Sequence, residues 1–408
     1  MDKKLIFGTV GALLIFSVVF VRTRATILRG EPDFAGFYTA GKIIVQGNAH
    51  RLYDWELQKQ TQQDITAQLK DRTFPLAFNH APFEALLFAV FALLPYAQAV
   101  TLWFLCNIAM LGAALLLLRR RLLRMESRFH WVLIATAAFM PAIRTLYEGQ
   151  DSILLLLLFT AAFIALEDKR EALAGCLLAL ATFKPHEVLP LLLCLVVARR
   201  WKPVGSFAAT GAGLMLLSAA VMGWRVLVDY PRFLVLQFAQ RPSALAGVYP
   251  EHMPNLRGFA FTCWRALHLP PAAMYPVVAV GSLVLLVLLL RAWARPAATK
   301  EIPRLQFSLA LAVTILIGFQ MYYYDLAVLV LAFLLALEHV AERWRATISQ
   351  LLIVVSMVAI MILGQRFPPL QVIALLLFSG AVLAELKAVS ATVPQTQAVG
   401  AGVRSPAS

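Results

Sequence analysis

Charge is what this sequence has least of. Of its 408 residues only 14% are Asp, Glu, Lys or Arg, against about 25% in soluble domains. With 61% hydrophobic residues and a mean hydropathy of +0.75, too little polar surface is left to cover a water-soluble core, which excludes a soluble globular chain. Cysteine is scarce too. Cys106, Cys176, Cys194 and Cys263 form no CxxC pair and three lie inside apolar runs, so neither a disulfide framework nor a zinc site is indicated. His50, His80, His130, His252, His268 and His339 are scattered without metal-ligand spacing; no cofactor is expected, and metal dependence stays open. No P-loop, nucleotide-binding glycine pattern, nucleophile elbow or internal repeat is found. Nucleic acid is excluded as a partner despite the net charge of +14, because no basic face is interleaved with aromatics.

What is there is long apolar sequence. Lipid is the solvent that fits it, and lipid requires backbone polar groups to be satisfied within each spanning segment. Runs such as 153–166, 278–290 and 326–337 lack strand-like alternation, so the expected class is an all-α polytopic membrane protein. Residues 1–4 are followed by an apolar stretch over 5–21 that resembles a signal peptide. Arg22, Thr23 and Arg24 come next in place of a small-residue cleavage site, which predicts an uncleaved first transmembrane helix with a cytoplasmic N-terminus. Two long polar segments, 22–81 and 223–271, interrupt the pattern. Apolar segments lie near 82–118, 130–146, 151–166, 171–183, 186–198, 203–222, 272–291, 305–319, 323–337, 347–364 and 368–386. The whole of 1–387 reads as one transmembrane domain, and 388–408, small and polar, as a disordered tail.

The connections fall into two kinds. Those at 119–128, 167–171, 199–202, 291–304 and 338–345 are basic; those at 148–151, 184–186, 320–325 and 364–369 are short and carry distinctive motifs. The two kinds alternate strictly. If the basic set is cytoplasmic, every motif and both long segments face outward, with about twelve crossings of roughly 20 residues each. Two places strain that assignment. Pro95 splits 82–118 into a short piece and a full-length one, and 171–183 and 186–198 are each short, as a broken or re-entrant pair with Lys184-Pro185 at its apex would be.

After Glu31-Pro32, Asp33 opens a stretch with helical spacing (Phe34, Phe37, Tyr38, Gly41, Ile44, Val45) that stops at Gly47-Asn48. Asp33 reads as an N-cap or as a carboxylate facing a cleft, and the two are compatible. Residues 56–70 read as a solvated polar helix. The series Asp33-Phe34-x-x-Phe37-Tyr38-x-Ala40-Gly41, with Gly47 and Leu52-Tyr53-Asp54, resembles the opening signature of glycosyltransferase family 87. Ala81-Pro82-Phe83, Leu93-Leu94-Pro95-Tyr96, Glu148-Gly149-Gln150-Asp151, Lys184-Pro185-His186 and Tyr324-Asp325 follow in order, so the resemblance spans roughly 30–330.

That resemblance implies the multi-helix GT-C fold and transfer of a hexose, mannose above all, from a polyprenyl-phosphate donor to an extracytoplasmic glycolipid or cell-envelope glycan. It implies a bacterial inner membrane with the active site outside. It also implies an acidic catalytic base in the first outer loop, which lands on Asp33. An inverting transfer needs one carboxylate to accept the acceptor's proton, and a phosphate leaving group needs cations rather than an acid. Lys184, Arg144 and Arg257 are the candidates, each with the alternative of an interfacial anchor or loop stabiliser. Tyr38, Gln150, Asp151, His186, Tyr324 and Asp325 are candidate substrate contacts. Against that, Asp151 also reads as a helix cap, His186 as structural, and 322–325 as an aromatic belt. Members of the family often carry His before the Tyr-Asp pair, where this chain has Tyr322 and Tyr323. A nucleotide-sugar donor would need a cytoplasmic catalytic domain, for which no cytoplasmic segment is long enough. A transporter or flippase for a lipid-linked sugar, and a non-catalytic component of an envelope complex, are the competing readings; the first would place its polar site near mid-membrane.

Overall fold

The computed structural model describes residues 3–28, 32–65, 76–240, 249–270, 273–295, 299–364 and 367–391. Among these residues all regular structure is helical. The first part comprises α1 (Lys3–Leu28), α2 (Phe34–Val45), α3 (Trp55–Ile65), α4 (Pro82–Phe91), α5 (Tyr96–Arg119), α6 (Phe129–Ala137) and α7 (Met140–Glu148). The middle holds α8 (Ser152–Glu167), α9 (Glu171–Leu180), α10 (Pro185–Val197), α11 (Trp201–Met222), α12 (Val226–Gln240) and α13 (Leu256–Ala266). The last part holds α14 (Met274–Trp293), α15 (Glu301–Ile317), α16 (Leu329–Glu342), α17 (Ile348–Leu363) and α18 (Pro368–Ala391).

By length and composition six helices can cross a bilayer: α1, α5, α11, α14, the Tyr323–Glu342 stretch ending in α16, and α18. The bent pair Glu126–Ala137 and Met140–Glu148, at 51°, makes seven; Pro141 at the start of α7 removes a backbone donor there. Reaching about twelve crossings would require the shorter apolar helices α2, α4, α8, α9, α10 and α17 to be counted among the spans. Burial separates centre from rim. The apolar window of the Tyr323–Glu342 stretch is 83% buried inside the protein and that of α11 only 6%, so α16 lies at the centre and α11 turns its apolar surface outward, as a lipid-facing helix does.

Several local expectations meet their structures here. The break at Pro95 separates α4 from α5, and Lys184-Pro185 separates a 3-10 turn ending α9 from α10. Proline suits the first turn of α10 because its missing N–H would have no partner there. The described residues of both long polar segments include helices, the first holding α2 and α3 and the second α12 and α13. Of the helix expected over 56–70, residues 56–65 belong to α3 and 66–70 lie outside the described residues; α3 is not solvated all round. Gln58, Thr61 and Gln62 are buried, because the two glutamines bond the chain at 76–78 (Phe78 N to Gln58 Oε1, 3.0 Å; Leu76 N to Gln62 Oε1, 2.7 Å). At the other end α18 runs to Ala391, so 388–391 are helical; the rest of the expected tail, 392–408, lies outside the described residues, as does Glu31. Two cores result. The larger is built around α8, α10, α15, α16 and α18. The smaller is an aromatic cluster of Phe34, Phe37, Tyr38, Phe78, Phe88 and Trp103 under α2, where the missing Cβ of Gly41 lets α2 lie against the Phe88 carbonyl of α4.

Candidate functional site

The segment leading into α4 is fixed from three sides. The α3 glutamines hold 76–78, and the Tyr53 hydroxyl donates to the His80 carbonyl at 2.7 Å. His80 is thereby set over the first turn of α4, its Nδ1 2.8 Å from Glu84 Oε2 and 3.3 Å from Asp151 Oδ2. Asp151 leads in turn to Lys184. The ammonium of Lys184 lies 2.7 Å from Asp151 Oδ1, 2.6 Å from Asp325 Oδ1 and 2.7 Å from Ser152 Oγ. Of the three N–H donors of an ammonium, two are hydrogen-bonded, to Ser152 and Asp325, and Asp151 faces the same charge as an ion pair. Asp325 is held further by the Ser152 hydroxyl at 2.9 Å and the Tyr322 amide at 2.8 Å. Lys184, Asp151 and Asp325 are all buried, so this is an interior ion network tying α8, α10 and the turn before α16 together.

Asp33 stands beside this network. It occupies the N-cap position of α2 but makes no capping side-chain bond; its Oδ2 accepts from Gln150 Nε2 at 2.7 Å. Its charge is near enough to act on the phenols of Tyr322 and Tyr324. The Asp151 side chain likewise makes no capping bond, which corrects the cap reading: Lys184 and His80 offer a buried carboxylate stronger, charged partners than the first-turn amides. Arg257, at the start of α13, stacks 4.1 Å over the Phe319 ring and donates from Nη1 to the Phe319 carbonyl at 3.1 Å. Its charge also reaches Tyr322. Among the described residues Arg257 makes no ion pair, and its Nε has no hydrogen-bond partner.

Burial alone would lower the basicity of His80, but the carboxylates of Glu84 and Asp151 beside its Nδ1 outweigh it and raise its pKa to about 10. Burial would raise the Asp151 carboxyl; Lys184 and His80 reverse that and hold it well below the usual carboxylate range. Lys184 is kept charged in the same way, burial being overcome by Asp151 and Asp325. His80, Glu84 and Asp151 could also hold a metal ion, since one ligand atom from each lies within 4.8 Å of the others. Such an ion would have to displace the proton shared by His80 and compete with Lys184 for Asp151.

The other expected contacts divide. Asp33, Gln150, Asp151, Lys184, Tyr324 and Asp325 are joined, Lys184 Nζ lying 5.3 Å from the Tyr324 ring centroid. His186 Nε2 is buried without a hydrogen-bond partner among the described residues. Arg144 is paired with Glu148 one turn along α7 and stacks on Tyr147 at 4.8 Å. Tyr38 is buried; its hydroxyl donates to the Leu94 carbonyl at 2.8 Å and its ring meets Tyr96 at 5.3 Å. Sequence reasoning missed His80, Glu84, Ser152 and the buried Glu187. The treatment of His80 as one of several scattered histidines is corrected here, since folding brings Asp151 to it. The one local signal was the i, i+4 spacing of His80 and Glu84 across Pro82 at the start of a helix.

Gly149 explains the glycine between Glu148 and Gln150. It ends α7 with φ +64°, and a Cβ there would sit 2.6 Å from the Cβ of Phe34, the neighbour of Asp33. Its carbonyl accepts from the Trp103 indole at 2.8 Å. Gly149→Ala is expected to cost about 1–2 kcal/mol for the left-handed backbone and to displace Phe34, lowering both the melting temperature and turnover. A melting curve in detergent and a transfer assay on the same preparation check this.

The family model for glycosyltransferase family 87 matches residues 78–319. No curated protein and no solved structure matches. The matched stretch contains His80, Glu84, Gln150, Asp151, Lys184 and Arg257, and stops short of Asp33 on one side and of Tyr322–Asp325 on the other.

Proposed function

We infer the function from one premise: this chain belongs to glycosyltransferase family 87, whose model covers more than half of it. It is a membrane glycosyltransferase, with a sugar donor and an acceptor as substrates. We propose that the donor is a polyprenyl-phosphate-linked hexose, mannose foremost, and the acceptor an extracytoplasmic glycolipid or envelope glycan. Transfer would be inverting, on the face opposite the basic loops of a bacterial inner membrane. The observation that carries this reading is the carboxylate of Asp33, oriented by Gln150 and not engaged as a cap. In the proposed step Asp33 takes the proton of the acceptor hydroxyl while that oxygen bonds to the anomeric carbon. The bond from that carbon to the phosphate oxygen breaks, and its electron pair leaves with polyprenyl phosphate.

The departing phosphate needs positive charge that is not already compensated. The charge of Lys184 is already compensated by Asp151 and Asp325 and Arg144 faces Glu148, whereas Arg257 makes no ion pair among the described residues and has donors to offer. We therefore assign the phosphate to Arg257, and to Lys184 the task of holding Asp151 and Asp325 under the substrate. Gln150, His186, Tyr322 and Tyr324 are the proposed sugar and acceptor contacts. Tyr322 stands near the place where family members carry His, and its hydroxyl accepts from the Tyr249 amide at 3.2 Å.

Purified protein given labelled polyprenyl-phosphate mannose and an envelope glycolipid fraction is expected to move label to the glycolipid. Transport of label across vesicles without transfer would favour a flippase, and retention of donor alone a binding component. Loss of charged hydrogen bonds at about 1.5–3 kcal/mol predicts that Arg257→Ala lowers kcat/KM for the donor roughly ten- to hundredfold, with Arg257→Lys recovering part of it. Unchanged donor kinetics in Arg257→Ala would remove that assignment.

A further inference from the structure

At the opposite ends of α8 and α10 from the candidate site lies a cavity of about 1460 Å³, larger than the roughly 300–1,000 Å³ of common small-molecule pockets. It is framed by the loops between α8 and α9 and between α10 and α11, by residues 294–295 and 299–300 between α14 and α15, and by Arg121 after α5. Phe163, Trp293 and Phe307 supply part of an apolar wall. Its mouth is crowded with cations. Three of them are neutralised within the protein: Arg121 by Asp168 at 2.7 Å, Arg200 by Glu171 at 2.8 Å and Arg304 by Glu167 at 3.1 Å. Five more, Lys169, Arg199, Lys202, Arg295 and Lys300, line the same cavity and make no ion pair among the described residues.

The preference for basic cytoplasmic loops explains why cations are there, but not why they ring a cavity or how two of them are held. Lys169 and Arg199 are non-glycine residues in the left-handed region, at φ 59° and φ 56°. Each closes its helix in the same way. The amide after it bonds back five residues into the helix end, Arg170 N to Ala165 O at 2.8 Å and Arg200 N to Leu195 O at 2.9 Å. Glycine is the usual occupant of that position because it has no Cβ to clash, so two cations are kept where the backbone disfavours them. The Thr299 hydroxyl, also on the lining, is buried with no hydrogen-bond partner among the described residues.

We propose that this cavity binds the headgroup of an anionic phospholipid carrying two phosphodiesters. Phosphodiester oxygens are acceptors for the five uncompensated cations and for Thr299. The glycerol backbone and upper acyl carbons match the apolar wall, and free phosphate would leave that wall wet. The proposal does not depend on which sugar or donor the enzyme uses. It has one structural consequence. α8 and α10 carry Ser152 and Lys184 at their other ends, so a headgroup bridging their C-terminal loops would fix the spacing of the two helices that hold the ion network.

The test uses the full-length protein in a neutral detergent, with cardiolipin, phosphatidylcholine and inorganic phosphate as probes. Lys169→Gly/Arg199→Gly is the informative variant, because glycine suits both backbone positions and the protein should melt no lower than wild type. Cardiolipin is expected to stay bound to the wild-type protein in native mass spectra and to raise its melting temperature. At about 1 kcal/mol per cation near a lipid surface, the double variant should bind it roughly 30-fold more weakly. Equal cardiolipin affinity in the two proteins would overturn the proposal. So would an equal thermal shift from phosphatidylcholine, or from inorganic phosphate, which would mean a site for free anions and not for a lipid.

Discussion

Asp33→Asn is expected to lower sugar transfer by about 10²–10⁴-fold, the range by which a positioned general base accelerates proton transfer, while leaving the folded protein intact. The amide is nearly isosteric, and its oxygen can still accept from Gln150, so the bond now made at 2.7 Å survives. What is lost is the capacity to take a proton. Melting temperature and donor binding should therefore stay near wild type while kcat falls. Asp33→Glu keeps the acid but lengthens it by one methylene, and should retain intermediate activity. Turnover of Asp33→Asn within a few-fold of wild type would take Asp33 out of the mechanism. The measurement carries extra weight because Asp33 lies outside the stretch matched by the family.

The second large effect belongs to Lys184. Lys184→Met keeps most of the side-chain volume but leaves Asp151 and Asp325 facing each other in the interior with no cation between them. Breaking a buried ion pair by removing one partner costs about 3–5 kcal/mol, because the remaining charge is stranded. Here Asp325 loses its one ion-pair partner among the described residues and Asp151 is left with His80 alone, so this variant should show the largest loss of stability among single changes at the site. Lys184→Met/Asp325→Asn removes one stranded charge and should recover a substantial part of the loss. A stability cycle over wild type, both single variants and the double variant measures the coupling directly. If Lys184→Met melts like wild type, the ion network does not hold the site together, and Lys184 returns as a candidate phosphate ligand.

These two residues also show how far the sequence could be read. The place of Asp33 at the start of α2 is legible because its signals are local: a carboxylate ahead of a helical apolar stripe that ends at Gly47-Asn48. The boundaries of α2 and the breaks at Pro95 and Lys184-Pro185 were legible for the same reason, since proline and glycine act on their own backbone. Lys184 was noticed as a cation on the wrong side of the charge pattern, but its partners were not. Asp325 is 141 residues away along the chain, and no local pattern encodes that pairing. The same holds for His80, set aside as one of several scattered histidines until the fold brought Asp151 to it. The polar helix over 56–70 was read from composition, which is blind to Gln58 and Gln62 turning inward to bond the backbone ahead of His80.

The amino-acid order by itself determined that this chain is helical and lies in a membrane, with two kinds of connection in alternation. Those properties are sums over many residues of hydropathy and charge, and such sums survive any detail of packing. Only the tertiary structure decided which cations are compensated and which carboxylates share them. Those outcomes turn on contacts of a few ångströms between residues far apart in the chain, where one helix rotated by a single position would exchange every partner.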